Sequence, residues 1–169
     1  GHAFSDFQKW LKELKNRGIL LTVCSKNNED TAKEPFEKHP EMVLRLEDFS
    51  MFVANWEDKA RNIRTIQQSL NIGMDSMVFL DDNPFERELV RTMIPEITVP
   101  ELPEDPALYL QYLRGLNLFE TASYSREDAG RTEQYREKAQ RAAFEAAFQS
   151  YDDYLEALQM RASAAAFDP

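Results

Sequence analysis

The chain has 169 residues, a length typical of one domain or of one domain with an appendage. Hydrophobic residues make up 43% of it, which is enough for a buried core and excludes a wholly disordered chain. The 30 acidic residues against 20 Lys and Arg give a formal net charge of −10, which argues against nucleic acid or an anionic membrane surface as the main partner. No apolar run approaches the roughly 18 residues of a membrane span, so we expect a soluble, cytoplasmic protein.

The single cysteine, Cys24, excludes an intrachain disulfide and a cysteine zinc cluster. No histidine is near it in the sequence to activate a nucleophile, so we interpret Cys24 as an inert buried thiol. Trp10, Trp56 and the phenylalanines are interpreted as core residues. The chain begins at Gly1 rather than Met, from which we expect a processed or excised piece of a longer protein.

The first helix is predicted from apolar residues that recur every three or four positions. Phe4, Phe7, Leu11 and Leu14 form this stripe, and Gly18 is placed to end the helix. Four short apolar runs then predict strands, at residues 19–24, 43–46, 77–80 and 97–99.

Further helices are predicted between and after these strands. Asn27 or Asn28 can cap the second helix, which Pro35 kinks or ends. Asn83 caps the fourth. Apolar stripes form the inner faces of the third and fourth helices: Ile63, Ile66 and Leu70 in the third, and Leu89, Val90 and Met93 in the fourth. Strands that alternate with helices predict a parallel, layered α/β domain over residues 1–115.

The composition changes after Gly115, and residues 116–169 are predicted as a helical arm or linker toward a further domain. Ser125 and Asp128 resemble a capping pair that opens a long helix to about Gln149. The stretch 160–167 is interpreted as a strand or a linker. Because alanine is abundant here and large apolar residues are sparse, we expect the arm to pack on the domain or on missing sequence.

The residues that follow the first strand can hold a phosphate. They are Ser25, Lys26, Asn27 and Asn28, which supply a hydroxyl and backbone N–H groups just before a helix N-terminus. Ligands in open α/β sheets bind at the carboxyl ends of strands, which is where this segment lies. The alternative is a plain strand-to-helix turn in which the Ser and Asn residues only form caps.

Two adjacent carboxylates, Asp81 and Asp82, follow the third strand. They repel each other near a low-dielectric interior, and Mg²⁺ or a lysine would compensate them. The alternative is a solvated acidic turn before the fourth helix. Lys59 opens the third helix, where its positive charge is disfavoured by the helix dipole. A phosphate or the acidic pair nearby would stabilise it in this position. The alternative is a lysine that is simply solvated.

The order of these features resembles motifs II, III and IV of the haloacid dehalogenase (HAD) superfamily of phosphotransferases. The strings ILLTVCSKNNED, FEKHPEMVLRLEDF, NWEDKARNI, MVFLDDNPFERELVR and ITVPELPEDP are similar to the FkbH-like branch of that superfamily. The resemblance covers nearly all of residues 1–113, and the arm from Phe119 to Pro169 resembles the connector of the same family. It implies a three-layer HAD-like (Rossmann-like) parallel sheet.

The resemblance also implies roles for these residues. Ser25 and the Lys26 amide would bind the phosphoryl group, and Lys59 would neutralise the charge that develops on it. Asp82 would be the direct Mg²⁺ ligand, and Asp81 would orient Lys59 or a metal-bound water. Second-tier candidates for substrate contact or positioning are Asn27, Asn28 and Glu86.

Members of this branch take the glyceryl group of 1,3-bisphosphoglycerate, lose its phosphate and load the three-carbon unit on an acyl carrier protein. Some supply methoxymalonyl-type extender units. The implied partners are therefore a phosphorylated three-carbon substrate and an acyl carrier protein. The alternatives are a generic small-molecule phosphatase of the same fold and a non-catalytic scaffold that binds a carrier protein through its arm.

One element of the HAD pattern is missing from this sequence. HAD enzymes carry their nucleophile in a DxD motif after the first, central strand, and no such motif follows a predicted strand here; Asp6 lies in a helix. We therefore expect the chain alone to be inactive. We also expect a missing N-terminal segment or a separate chain to fill the central slot, whose strand edges would otherwise stay unpaired.

Overall fold

The structure, a computed structural model, describes residues 2–119 and 130–166. These residues form a mixed α/β arrangement of six α-helices and two strands. The strands are β1 (Leu21–Lys26) and β2 (Phe49–Asn55). The helices, in chain order, are α1 (His2–Asn16), α2 (Glu29–Lys38), α3 (Lys59–Leu70), α4 (Pro84–Met93), α5 (Tyr109–Gly115) and α6 (Arg131–Ala166).

The predicted α/β class and the parallel direction of the strands are confirmed. β1 and β2 pair in parallel, from Leu21 opposite Phe49 to Lys26 opposite Asn55. The runs predicted as the third and fourth strands meet in a single parallel bridge between Val78 and Thr98. Because the described residues form a sheet of two strands, the three-layer HAD-like arrangement stays a prediction.

The predicted strand at residues 43–46 is wrong. The side-chain oxygen of Gln8 accepts hydrogen bonds from the amides of Val43 and Leu44, both at 3.0 Å, so these donors are satisfied without a strand ladder. A short 3₁₀ turn follows, and the strand begins at Phe49. β2 is rich in apolar and aromatic side chains, which suit a pleated, half-buried surface.

The helix boundaries agree with the predicted caps, but Pro35 does not end α2. α1 ends before Gly18, whose φ of 95° lies in the left-handed region that glycine adopts without strain. Asn28 is the N-cap residue of α2, and this helix continues through Pro35 to Lys38. No residue of α2 is buried, so the helix accommodates the missing proline N–H at the protein surface.

The inner face of α4 differs from the predicted stripe. Val90 is fully buried as predicted, but Met93 is 53% exposed. Two charged residues, Glu86 and Arg87, are buried in its place. The apolar pattern missed Arg87 because its polar partners, among them the Asp81 carbonyl and Glu101, lie outside the helix.

The core consists of three apolar clusters. α1 packs against α5 through Trp10, Leu14 and Leu113. A second cluster lies under α2 and is formed around Leu21, Leu44 and Phe49. The third joins α3, α4 and the segment 77–80, and contains these buried residues: Ala60, Ile63, Phe79, Val90, Ile94 and Ile97. The prediction of Trp10 as a core residue is confirmed, whereas Trp56 is 67% exposed and was wrongly predicted.

A cavity of about 700 Å³ is lined on one side by β1 and on another by the segment 77–80. Its wall includes Leu21 and Thr22 of β1, Val78 and Leu80, and Ile66 of α3. β1 is hydrogen-bonded to β2 on one edge only in the described sheet, so its other edge is unpaired. The cavity therefore lies where a further strand could pair with β1.

The last helix extends beyond its predicted end. The predicted capping pair Ser125 and Asp128 lies outside the described residues. The strand or linker predicted from residue 160 is wrong up to Ala166, since α6 continues to that residue, and Phe167 lies outside the described part. Arg131 donates to the Gly18 carbonyl at 3.2 Å and Thr132 is buried, so the first turn of α6 packs on the domain. Within the described ranges, no helix combines the length and apolar character needed to cross a bilayer.

A buried carboxylate, Asp48, joins the start of β2 to α1. Burial raises its pKa, but hydrogen bonds from Lys15 Nζ and the Arg45 amide, both 2.8 Å, outweigh burial. Together with the charge of Lys12, they hold the pKa of Asp48 below its ordinary value. Because the folded-state pKa is lowered, the stabilisation is present above the unfolded pKa of about 3.9 and is lost as the pH falls through the lower value.

Asp48→Asn is therefore expected to lower the free energy of unfolding by about 2 kcal/mol at pH 7, because hydrogen bonds to a charged group contribute roughly that much. The measurement is urea unfolding of wild type and variant at pH 7 and again near pH 3, where the difference should shrink. Glu47→Gln removes the exposed neighbouring carboxylate and serves as the control. An equal loss for Asp48→Asn at both pH values would contradict the charge-based explanation.

Candidate active site

A buried ion pair lies at the centre of the candidate site. Lys59 Nζ is 2.5 Å from Asp81 Oδ2, and the two side chains are 15% and 6% exposed. Lys59 is the first residue of α3, after the N-cap Asp58, whose side chain accepts from the Arg61 amide. The negative charge of Asp81 thus compensates a lysine that the helix dipole alone would disfavour at this position.

The chain around Asp81 is fixed by hydrogen bonds from the start of α4. Asp81 Oδ1 accepts from the Asn83 amide at 2.9 Å. Arg87 Nη1 donates to the carbonyls of Asp81 and Asp82, at 2.9 and 3.2 Å. The carboxylate of Asp82 is exposed and accepts no hydrogen bond from the part of the chain that the structure describes. One carboxylate of the pair is thus neutralised by lysine, and the other is open to solvent.

Arg87 is itself held by Glu101, at 3.1 Å. A hydrogen bond from Arg91, with a further one from Arg87, lowers the pKa of Glu101 below its ordinary value. Arg91 also donates to the Val99 carbonyl at 2.9 Å. These contacts tie α4 to the segment after Thr98 and thereby fix the turn that carries the acidic pair.

The start of α3 is positioned by a pair of asparagines that the sequence analysis did not identify. Asn62 Nδ2 donates to Asn55 Oδ1 at 2.7 Å, and Asn55 Nδ2 donates to Asn62 Oδ1 at 3.2 Å. Asn55 Oδ1 also accepts from the Glu57 amide at 3.0 Å. This network joins the end of β2 to the first turn of α3 and so orients Lys59. Only the placement of an asparagine at each end of the NWEDKARN string could have indicated it.

The candidate phosphate-binding segment begins within β1, because the strand extends to Lys26 and does not end at residue 24 as predicted. Ser25 is half-buried and pairs in the ladder with Ala54. Asn27 Oδ1 accepts from the Asn28 amide at 2.8 Å, and Asn28 Oδ1 accepts from Trp56 Nε1 at 2.8 Å. The side chain of Asn28 therefore binds Trp56 instead of capping α2, although Asn28 is the N-cap residue.

Cys24 connects the Ser25 segment to the ion pair. Its Sγ lies 3.7 Å from the Lys59 carbonyl oxygen. Burial raises the pKa of the Cys24 thiol to about 11; the positive charge of Lys59 opposes this rise, while Asp81 and Glu86 add to it. The thiol is protonated at neutral pH, which fits the interpretation of an inert residue. Ser25 is the next residue, so the candidate phosphate-binding segment begins beside the ion pair.

Glu86 is a further carboxylate in this neighbourhood. It is buried, and its Oε2 has no hydrogen-bond partner among the described residues. A buried carboxylate oxygen without a partner calls for a water, a cation or a ligand. The described residues contain no group of three or more His, Cys, Asp or Glu side chains that could hold a metal by themselves. Mg²⁺ is compatible with this donor set, because it is usually bound by one or two carboxylates together with waters and substrate phosphate.

The structure thus joins some of the predicted site residues directly and others through intermediates. Lys59 and Asp81 are in contact, and Asp82 shares the turn that Arg87 fixes. Among the described residues, no hydrogen bond or ion pair joins Ser25 or Lys26 to Lys59 or Asp81; Cys24, the neighbour of Ser25, contacts the Lys59 carbonyl. The roles of all these residues stay predictions.

Comparisons with known proteins give one informative similarity. No protein-family model matches the chain, and no curated protein matches it. The chain is similar to a crystal structure of the N-terminal part of the protein BF1531 from Bacteroides fragilis, which contains a phosphatase domain and is complexed with Mg. The sequence identity is 71% and the TM-score is 0.70, over 72% of this chain and 32% of that chain. The present chain therefore spans about a third of the length of that neighbour.

Proposed function

We propose that this protein is a Mg²⁺-dependent phosphatase or phosphotransferase of the HAD type. The observation that carries the proposal is the buried Lys59–Asp81 pair beside the open carboxylate of Asp82, at the end of a buried segment. The similarity to a chain that contains a phosphatase domain complexed with Mg supports both the reaction class and the metal.

In this proposal each residue contributes to placement or charge compensation, which is what phosphoryl transfer mainly requires. The carboxylate of Asp82 holds Mg²⁺, and Asp81 keeps the Lys59 ammonium directed at the site. The Ser25 hydroxyl and the Lys26 amide donate hydrogen bonds to the phosphoryl oxygens. When bound, Mg²⁺ supplies additional positive charge opposite those oxygens.

The proposed substrate follows from the resemblance to the FkbH-like branch. We propose that the substrate is 1,3-bisphosphoglycerate. The thiol of an acyl carrier protein attacks its C1 carbonyl and displaces the C1 phosphate to form a thioester, and the C3 phosphoryl group is transferred to the aspartate nucleophile and released by water, which leaves the glyceryl unit on the carrier. The five matching sequence strings support this assignment. The alternative enzyme is a generic small-molecule phosphatase, which would release phosphate without transferring the glyceryl unit. The alternative without chemistry is a scaffold that binds a carrier protein.

The nucleophile in this proposal is an aspartate of an Asp-x-Asp motif, which does not occur in the printed sequence. The cavity of about 700 Å³ supports the existence of such a strand, because it is lined by the unpaired edge of β1 and by the segment 77–80. A strand placed there would direct its carboxyl end toward Ser25 and Asp81, if it runs parallel to β1. We propose that an N-terminal segment or a separate chain supplies it.

The test is phosphate release from 1,3-bisphosphoglycerate and from acetyl phosphate in the presence of Mg²⁺. The chain alone is expected to release none. A synthetic peptide of four or five apolar residues followed by Asp-x-Asp is expected to restore release. In the reconstituted protein, Lys59→Met and Asp82→Asn should each lower the rate by about 10²–10³-fold, the typical effect of removing one charge-stabilising group.

Lys38→Met is the matched control, because Lys38 lies at the exposed end of α2. Transfer of the glyceryl unit to a carrier protein distinguishes the FkbH-like reaction from simple hydrolysis. Normal phosphate release by both site variants would refute the residue assignment. Carrier binding without phosphate release from either acyl phosphate would favour the scaffold.

A further inference from the structure

The exposed part of α6 carries a row of four large apolar side chains. They are Phe144, Phe148, Tyr151 and Leu155, which are 71%, 58%, 58% and 37% exposed. Their spacings of four, three and four residues place them along one side of the helix, in the pattern of the a and d positions of a coiled coil. We call these four residues the α6 row. The phenylalanines among them were predicted to be core residues and are not.

The α6 row exposes an apolar area as large as that of many functional surface patches. An aromatic side chain that becomes buried covers about 150–250 Å². At the observed exposed fractions the row presents roughly 400 Å² of apolar surface, within the size range of the largest patch on a typical monomer, which is often functional. The first turn of α6 packs on the domain, but every side chain from residue 140 to residue 151 is exposed.

One side of the α6 row is acidic. Between Arg141 and Arg161 the sequence contains four acidic residues and no lysine or arginine. The acidic residues are Glu145, Asp152, Asp153 and Glu156. Glu145 and Asp152 directly follow Phe144 and Tyr151, at the positions that flank a coiled-coil seam and select its partner.

The acidic residues beside the α6 row favour some binding partners over others. A second copy of the chain in the antiparallel orientation would bring Glu145 and Asp152 of the two helices together, which costs free energy; in the parallel orientation it would place uncharged flanking residues such as Ala147 opposite them, which cannot pair with the carboxylates. A helix with lysine and arginine beside its apolar side would pair with them. We infer that the α6 row is a docking surface for an amphipathic helix of another protein, with basic residues on the side of its apolar face that meets Glu145 and Asp152.

The inference is tested with two synthetic helical peptides that share one leucine seam at the a and d positions. One peptide has lysine at all flanking positions, and the other has glutamate there. Each is labelled and titrated with the 169-residue chain, and binding is followed by fluorescence anisotropy. The lysine-flanked peptide is expected to bind, and the glutamate-flanked peptide is not. Substitution of Phe148→Gln should weaken binding by about tenfold or more, as expected for a central aromatic anchor.

Phe4→Gln is the matched control, because Phe4 is an exposed phenylalanine of α1 outside the row. Both variants are expected to keep the circular dichroism spectrum of the wild type, since both side chains are exposed. Equal binding of the lysine-flanked peptide by wild type and Phe148→Gln would overturn the inference, as would equal binding of the two peptides. Sedimentation that shows a dimer of the wild type, lost in Phe148→Gln, would assign the row to a second copy instead.

Discussion

Replacement of Lys59 by methionine is expected to lower the free energy of unfolding by about 3–5 kcal/mol, the typical cost of removing one partner from a buried ion pair. The reason is that Asp81 would remain buried without its cation, since Lys59 is the residue that forms an ion pair with it among those described. Methionine keeps the length and apolar part of the side chain, so loss of packing contributes little. The measurement is urea unfolding followed by circular dichroism, which needs no enzymatic activity.

A double-mutant cycle separates charge from packing in this prediction. Asp81→Asn in the Lys59→Met background removes the uncompensated charge, and the double variant is expected to be more stable than Lys59→Met alone. The control Lys38→Met breaks the exposed pair between Lys38 and Glu34 and should cost less than 1 kcal/mol. If Lys59→Met costs no more than Lys38→Met, the pair does not hold the site together.

The sequence predicted the elements whose signals are local. β1 starts and ends two residues later than predicted, α3 begins at Lys59 as predicted, and α4 follows its predicted cap, Asn83. A cap needs only a side chain and an amide two or three residues away, so its chemistry can be identified from sequence. The positions of Lys59 at the start of α3 and of Asp81 just before α4 could be predicted for the same reason. Their contact with each other depends on the fold and could not.

The errors arose where a distant residue decides the local structure. Residues 43–46 were predicted as a strand, but Gln8 of α1 accepts hydrogen bonds from the Val43 and Leu44 amides; β2 at Phe49–Asn55 was not predicted. Trp56 was predicted to be a core residue. It lies at the surface, where Asn28 accepts its indole N–H across 28 residues of sequence.

The inner face of α4 was predicted from its apolar residues alone, and its buried charged residues were missed. Such a stripe identifies the buried face correctly only when no charged residue of the helix has a binding partner in the protein interior. Arg87 reaches two backbone carbonyls and Glu101, and none of these partners can be identified from the helix alone. The chemistry of the site could therefore be predicted from sequence, but its geometry could not. Residue types at strand ends indicate its chemistry, and contacts distant in sequence set its geometry.

Substitution of Arg87 by methionine is expected to cost about 2–4 kcal/mol of unfolding free energy. The Arg87 side chain is 7% exposed and donates to the carbonyls of Asp81 and Asp82, so methionine would leave buried acceptors without donors. The loss should be measured by urea unfolding, in parallel with Mg²⁺ titration calorimetry of the protein reconstituted with the Asp-x-Asp peptide. Because Arg87 orients the turn that carries Asp82, Mg²⁺ affinity is expected to fall by about tenfold or more, as for groups that orient metal ligands.

Arg91→Met provides a closely matched control. Arg91 also contacts Glu101 and a backbone carbonyl, that of Val99, but its side chain is 33% exposed and it does not touch the acidic pair. Water can replace its hydrogen bonds, so its loss should cost about 1 kcal/mol or less and leave Mg²⁺ affinity unchanged. Equal effects of the two substitutions on Mg²⁺ binding would mean that Arg87 stabilises α4 without positioning Asp82.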